Sequence, residues 1–552
     1  MILSFLFIPT LAATLSLTST NRVLSKLAYA DEVQDAHGAQ NLSVQTYSTV
    51  RAPEQRSNLL AEVEFRKNST EVTQEPVALQ QQVKQSSSTN AETVLNQEAN
   101  SMLQAVYVHR KPPQGFLSPY DALATMPHNI SEYKHASGNW FGSRDTLDAH
   151  GVEFSATYTT DMAGNPVGGI HPGGFTYADN FSFGCLVETE KLFGWHGGYF
   201  TISSLQRDGN SLSQKNIGNQ FTVQQLYGGQ TFHFYELSYE QREFNDHASL
   251  KSGRIAAGDE FASSPLYWLY MNNAIDGNPQ SIPVNGKFSA YPNATWGSRL
   301  KIDLPHDTLA RLGIYQVTQT SRHGLNWDFY PTDGVMLLAQ YGWNPEFCNP
   351  SQSKTSSSKN NSTATSSSKK NPPLKSSKNP DTPLTSKGLT GHYWMGGYYS
   401  TFEYAQFNSG FQAPNAYGLY WHADQTVYRP NPLADEGLVL WGVTTLCPQQ
   451  NISLLPFQVN AGAVYTGLIP GRKDDFTIFG VMYGNFSTTY ASIQQQNGNG
   501  NPTYELVYEF GYRINMTKFA YIQPDLQWVI NPKGTGNIPN AVVLGAQMGV
   551  VF

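Results

Sequence analysis

Cysteine is scarce, charge is thin and long apolar runs are missing, and each shortage removes a class of protein. The 552-residue chain has three cysteines, Cys185, Cys348 and Cys447, far apart and without a C-x-x-C pair. Zinc-ribbon and thioredoxin chemistry are thereby excluded, and at most one disulfide is available, which spacing does not choose. Charged residues make up 14% of the chain, against a usual share of about 25%. After residue 30 no stretch approaches the ~18 consecutive apolar residues of a spanning helix, which excludes a helical membrane protein. The net charge of −7 argues against a nucleic-acid partner. A nucleophile elbow, an H-E-x-x-H and a paired-cysteine metal site are all absent, and the thirteen histidines show no ligand spacing. Neither an enzyme nor a cofactor is expected, although barrel enzymes assemble sites from distant strands.

What is plentiful is aromatic and small. Phe, Tyr and Trp reach 13%, nearly equal to the charged share, with 31 Tyr, 29 Phe and 47 Gly. Many aromatics with a negative mean hydropathy fit a β-barrel, whose lipid face is apolar only at alternate positions. Composition leaves a soluble β-protein open; the chain's last segment narrows the choice. In Val542–Phe552 one face carries Val542, Leu544, Ala546, Met548, Val550 and Phe552, while the other mixes small, polar and valine residues. Such a strand is long enough to cross a bilayer, which takes ~9–11 tilted residues. Tyr504 to Asn515 shows the same split, with Tyr504, Leu506, Tyr508, Phe510, Tyr512 and Ile514 opposite Glu505, Glu509, Arg513 and Asn515. Shorter cases are Val152–Tyr158 and Phe457–Ala463.

Turn clusters such as Asn497–Pro502 separate these strands. The length from Trp140 onward accommodates ~14–18 strands, enough to enclose an aqueous channel. Gly164–Ala178 and Asp276–Thr295 read as connections too long for simple hairpins, of the kind that fold inward and narrow a pore.

The domain organisation follows composition. Residues 1–30 read as an export signal, apolar from Ile2 to Leu17 and ending in Ala28-Tyr29-Ala30. Residues 31–130 read as a polar, mostly disordered periplasmic arm, with one short helix around Ala91–Val106. Residues 131–552 read as the barrel. Within it, residues 350–388 form a lysine- and serine-rich insertion: seven Lys and one acid fall at 351–388, leaving 28 basic and 41 acidic residues elsewhere. The simple reading is a flexible insertion in a surface loop. The sharper one is a basic tether for anionic surface polysaccharide.

Four blocks of residues carry a family resemblance: Gly142-Ser143-Arg144 with Leu147 and Gly151-Val152; Gly164-Asn165 with Gly168-Gly169; Gly253-Arg254, Gly258-Asp259-Glu260-Phe261 and Tyr267 to Pro279, with Tyr291-Pro292 and Trp296-Gly297; and Gln523-Pro524-Asp525-Leu526-Gln527 with Asn531-Pro532 and the terminal Phe552. In this order the chain resembles the carbohydrate-selective porins of the OprB family over roughly Trp140–Phe552. The resemblance implies an all-β, transmembrane antiparallel barrel of about 16 strands in the outer membrane, with a short helix before the first strand. It also implies a homotrimer and diffusion of monosaccharides and polyols. The arm and the lysine-rich insertion depart from the family pattern.

A sugar pore needs donors and acceptors that replace water around hydroxyls, and it must bind weakly enough to release. Alternation directs Glu153, Glu188, Arg299, Lys301, Asp303, Arg311, Glu505, Glu509, Arg513, Gln523, Asp525 and Gln527 into the lumen. Arg254 joins them by its place in the matching Gly-Arg pair. Each such side chain is either a constriction residue or simply a wetted wall residue. Tyr267, Trp268 and Tyr270 read either as sugar-stacking rings or as rim-belt aromatics, and His171 as a loop residue. The expected partners are small sugars, outer-membrane lipids and the barrel-assembly machinery, engaged through Phe552. The alternatives to a sugar porin are a non-selective general porin and an adhesive or structural barrel anchored by the arm or the lysine-rich loop.

Overall fold

The computed structural model describes residues 134–552 apart from 139, 276, 318–323, 325–327, 329, 348–387 and 432–433. The expected signal, the arm, Cys348 and nearly all of the lysine-rich insertion lie outside the described residues.

Sixteen strands build the wall. The first eight are β1 (Val152–Val167), β2 (Gly174–Glu188), β3 (Gly198–Gly209), β4 (Phe232–Glu243), β5 (Ala248–Ile255), β6 (Thr295–Leu304), β7 (Thr308–Gln316) and β8 (Val335–Trp343). The second eight are β9 (Leu389–Ser400), β10 (Ala416–Tyr428), β11 (Gly437–Leu446), β12 (Phe457–Thr466), β13 (Phe476–Asn485), β14 (Tyr504–Asn515), β15 (Ala520–Ile530) and β16 (Ala541–Val551). Each pairs antiparallel with its chain neighbours, and β16 returns to β1 with Thr157 opposite Val551 and Met162 opposite Ala546. Closure leaves the sheet with no free edge.

Period-two alternation sets the inside and the outside of this wall. On β7, Leu312 and Ile314 are 55% and 50% exposed while Arg311, the residue before Leu312, is 1% exposed. Phe510, Leu526 and Leu544 likewise face out, next to buried Glu509, Gln527 and Val543. An outer band of exposed Phe, Leu, Ile and Tyr is unfavourable against water and favourable against lipid. Among the described residues no helix is long and apolar enough to cross a membrane; the strands do the crossing.

The helix α1 (Ser143–Ala149) precedes β1 and secures the closure. Gly142 before it sits at φ 90, a left-handed conformation that glycine adopts freely. Arg144, stacked 4.3 Å over Trp140, donates from Nη2 to the main-chain oxygen of Phe552 at 3.1 Å. The Phe552 N–H donates to Ala156 O at 2.8 Å. The opening and closing blocks of the sequence thus meet in space.

One expectation is corrected. Gly164–Ala178 is not a long connection: Gly164 pairs with Phe175 and Asn165 with Gly174, so both strands run on to a tight hairpin at 168–173. The Asn165 amide makes this turn by donating to Gly168 O at 2.9 Å and His171 O at 3.0 Å, and accepting from Gly174 N–H. Gly168 is obligatory there, since a Cβ would fall 1.8 Å from Asn540 O.

The two ends of the barrel differ. Turns 244–247, 305–307 and 516–519 are short and lie at the end where β1 begins and β16 finishes. Connections 210–231, 256–294 and 486–503 are long and lie at the opposite end. Residues flanking the lysine-rich insertion, Phe347 and Leu389, pair with one another at the short-turn end. Cys185 is half-buried on β2 and Cys447 is fully buried beyond β11; both are free thiols.

Candidate functional site

The lumen is shaped by two connections that fold into it. The longer, residues 256–294, is stapled internally by Asn278, whose amide donates to Gly258, Phe261 and Ala262 carbonyls at 3.1 Å each. Its apolar side chains Phe261, Tyr267, Tyr270, Ile275 and Ile282 are fully buried. They pack on a matching apolar stretch of inner wall that includes Tyr420, Trp441, Val443, Ile478 and Met482. Polar contacts fix the height. Tyr267 OH meets His422 Nδ1 at 2.6 Å, Trp441 Nε1 donates to Tyr270 OH at 2.8 Å, and Ser281 N–H donates to Gln458 Oε1 at 2.7 Å. The connection therefore fills the β9–β15 side of the barrel.

Two expected lumen acids hold these connections in place. Glu509 accepts the main-chain N–H of Met271 at 2.5 Å and of Asn272 at 3.2 Å. Glu505 accepts those of Gln220 and Phe221, both at 2.7 Å, and of Lys533 at 2.6 Å. Both carboxylates are 0% exposed. The family-like Q-P-D-L-Q block works alongside them: Gln523 donates to Leu269 O at 2.8 Å, Gln527 donates to Val223 O at 3.0 Å, and Asp525 accepts from Gln527 at 3.0 Å.

The opposite wall carries an ion-pair network. Lys251 meets Glu236 at 2.8 Å; Arg299 meets Glu240 at 3.1 Å and grips Glu260 of the inward connection with Nε and Nη2 at 2.9 and 3.1 Å. Lys301 pairs with Asp303 at 3.1 Å. Arg311 lies next in the ladder, opposite Lys301 and Gln340, and Arg254 donates to Phe234 O at 3.4 Å; each is 1% exposed. Nearby on the inward connection, Asp259 accepts from Tyr235 OH at 2.6 Å, and burial pushes its carboxyl up to about 7. Glu188, paired with Lys191 at 2.8 Å, and Glu153 sit at the short-turn end of β2 and β1.

Between the inward connection and strands β1, β2 and β14–β16 remains an open space. Thr157, Thr159, Asn180 and Ser182 line it from β1 and β2; Arg513, Tyr521 and Gln547 line it from β14, β15 and β16. Gln225 and Leu226 come from the 210–231 connection, and Pro265, Trp268, Leu269 and Tyr291 from the longer one. Two arginines lie over tyrosine rings here: Arg513 4.2 Å from the centre of Tyr521, and Arg207, just behind, 5.0 Å from that of Tyr291. Asn180 Oδ1 accepts from both Arg207 and Tyr291, at 3.2 and 3.1 Å. The space therefore offers ring faces beside amides, hydroxyls and guanidinium N–H groups, which suits a polyhydroxylated ring. Among the described residues no group of His, Cys, Asp and Glu is arranged to hold a metal.

Of the residues expected at the constriction, Arg513 lines this space. Glu505, Glu509 and Asp525 stand behind the inward connections, and Arg299 and Arg311 belong to the network on the other wall. Of the three aromatics, Trp268 lines the space, whereas Tyr267 and Tyr270 are buried against the wall; none sits in a rim belt. Arg207, Asn180 and Tyr291 were missed, as were Glu236, Glu240 and Lys251. Alternation on β3, with Phe200 and Ile202 facing out, was the signal available for Arg207.

A family model described as carbohydrate-selective porin, OprB family, matches residues 173–552. The chain belongs to that family. Porin B of Pseudomonas aeruginosa is 24% identical over 451 residues, covering 75% of this chain and 90% of the relative. Putative porin QuiX of Acinetobacter baylyi is 21% identical over 452 residues, covering 75% and 92%. The high-pH structure of Pseudomonas putida OprB superposes with a TM-score of 0.65 at 22% identity, covering 76% of this chain and 99% of that one. This likeness confirms the closed 16-strand wall. The protein is an outer-membrane carbohydrate porin, a channel and not an enzyme.

Proposed function

We propose that monosaccharides and polyols diffuse through the space bounded by Trp268, Tyr291, Arg513 and Tyr521, and that this space is the selective constriction. The observation carrying this reading is the fixed inward connection. Packed on the β9–β15 side and gripped from β6 by Arg299, it leaves an opening where aromatic faces and hydrogen-bonding groups converge. Stacking serves the C–H face of a sugar ring and the amides its hydroxyls, while wall residues of both kinds keep binding weak. Glu505, Glu509 and Asp525 then act by holding the inward connections, and Arg254, Arg299 and Arg311 by shaping the opposite wall's field. Liposome swelling with glucose, a disaccharide and an amino acid of similar size tests it. Glucose is expected to enter faster than the amino acid; swelling ranked by size alone would make this a general porin, and no swelling would favour an anchor.

Export through the periplasm by residues 1–30, and recognition of Phe552 by the barrel-assembly machinery, are part of the same reading. A homotrimer is supported by Asp179, which lies on the outward face of β2 between exposed Tyr177 and Phe181 and accepts from Tyr158 OH at 3.1 Å. A carboxylate is costly against lipid, and a neighbouring subunit would cover it. Short turns mark the periplasmic end of outer-membrane barrels, so the strand ends Phe347 and Leu389 that flank the lysine-rich insertion are read as periplasmic, which disfavours a surface-polysaccharide tether.

A further inference from the structure

Five of the lumen cations differ in their contact with acids. Lys251, Arg299 and Lys301 each touch a carboxylate within 3.1 Å. Arg513 and Arg207 touch none among the described residues. Arg513 donates to neutral oxygens only: Nε to Gln523 Oε1 at 2.7 Å, Nη2 to Gln547 Oε1 at 3.0 Å and to Trp268 O at 3.3 Å. Its Nη1 makes none of these bonds. Arg207 donates from Nε to Asn180 Oδ1 at 3.2 Å and from Nη1 to Gly228 O at 3.1 Å, leaving Nη2 outside both.

Among the described residues no carboxylate lines the space that Arg513 borders and Arg207 stands behind. Asp161, behind it, is 0% exposed and turned to protein donors: its oxygens take Gln547 Nε2 at 2.9 Å and Leu226 N–H at 3.2 Å. Asp161 acts on both guanidiniums from behind, reaching Arg513 through Gln547, so the sugar path meets the guanidiniums directly and no carboxylate at its surface among the described residues. The nitrogens outside these bonds, Nη1 of Arg513 and Nη2 of Arg207, carry N–H groups of the kind that match carboxylate geometry.

We propose that this channel favours monosaccharides bearing a carboxylate over neutral monosaccharides of the same size, and that Arg513, backed by Arg207, makes the preference. The inference rests on the open space being the sugar path. A ring laid against Trp268 or Tyr521 places its carboxylate within reach of Arg513, while its hydroxyls meet Asn180, Thr159 and Gln547. One-signed charge between low-dielectric walls enriches a counter-charged solute by on the order of tenfold.

The test is tracer flux of glucuronate and glucose into proteoliposomes containing the full chain, at low salt. Glucuronate is expected to enter roughly tenfold faster, and the ratio should shrink as salt shortens the screening length from ~30 Å at 0.01 M to ~8 Å at 0.15 M. Arg513→Gln should bring the glucuronate-to-glucose ratio to one or below, and Arg513→Lys should keep a preference. Because Arg513 also bridges three strands, Arg207→Gln and the salt series on the unaltered protein provide readouts that do not depend on that variant folding. Glucose flux with glucuronate no faster, or a ratio indifferent to salt and to both substitutions, would overturn the proposal. Absence of flux for both sugars would overturn the path reading, and this inference with it.

Discussion

Replacing Glu509 with alanine probes how the constriction is held. The carboxylate takes two main-chain N–H groups, of Met271 and Asn272. Leaving two buried N–H groups without an acceptor costs about 1–3 kcal/mol each, so loss of the clamp costs about 2–6 kcal/mol. Against this stand Phe261, Tyr267, Tyr270, Ile275 and Ile282, all fully buried on the same connection. At about 1.5–3 kcal/mol per side chain they contribute roughly 7–15 kcal/mol. Packing exceeds the clamp, so Glu509→Ala should leave residues 256–294 inside the barrel and loosen only the stretch near 269–273. The wall itself, built from strand ladders, should be unaffected. In single-channel recordings we expect a small rise in conductance with added open-channel noise and reduced sugar discrimination. Detergent-stable, heat-modifiable migration should be unchanged, and Glu509→Gln, which keeps one acceptor oxygen, should fall between. An unaltered trace with unaltered discrimination would refute the clamp. A several-fold jump, as from an emptied barrel, would refute the packing estimate.

Arg144→Ala loses the bond to the end of the chain and the stack on Trp140, a cost of about 1.5–3 kcal/mol; thermal unfolding in detergent should begin earlier while conductance is preserved. Trp268→Ala removes a ring face from the open space, so blockade of ion current by glucose should weaken without loss of the barrel. Asp259, off the spanning strands and facing Tyr235, Glu236, Lys251 and Glu260, has its carboxyl raised from an ordinary 3.8 to about 7, chiefly by burial. Its protonated form is favoured in the fold, so this contribution to stability is complete below its ordinary value and declines as pH rises through about 7. Asp259→Asn, which keeps an acceptor for Tyr235, should flatten stability against pH across that window in thermal melts.

The wall was legible because its rule is local. Period-two alternation assigns Tyr508 and Phe510 to lipid and Glu509 to the lumen without knowledge of any other strand. The same rule cannot distinguish an acid facing water from one facing main-chain N–H groups. Glu505 and Glu509 follow one pattern with Arg513, yet the first two meet segments more than 230 residues away in sequence while Arg513 borders the open space. The hairpin at 168–173 was misread because glycine and asparagine suggest a loop, whereas here Asn165 closes a turn and Gly168 admits a neighbouring carbonyl.

By itself, then, the sequence determined a lipid-facing barrel, its last strand and the sign of each lumen side chain, since these depend on spacing along one strand. Tertiary structure alone decided which wall the inward connection covers, which acids it consumes and which arginines remain beside the open space. Those outcomes depend on contacts between residues far apart in the chain, and no local period encodes them.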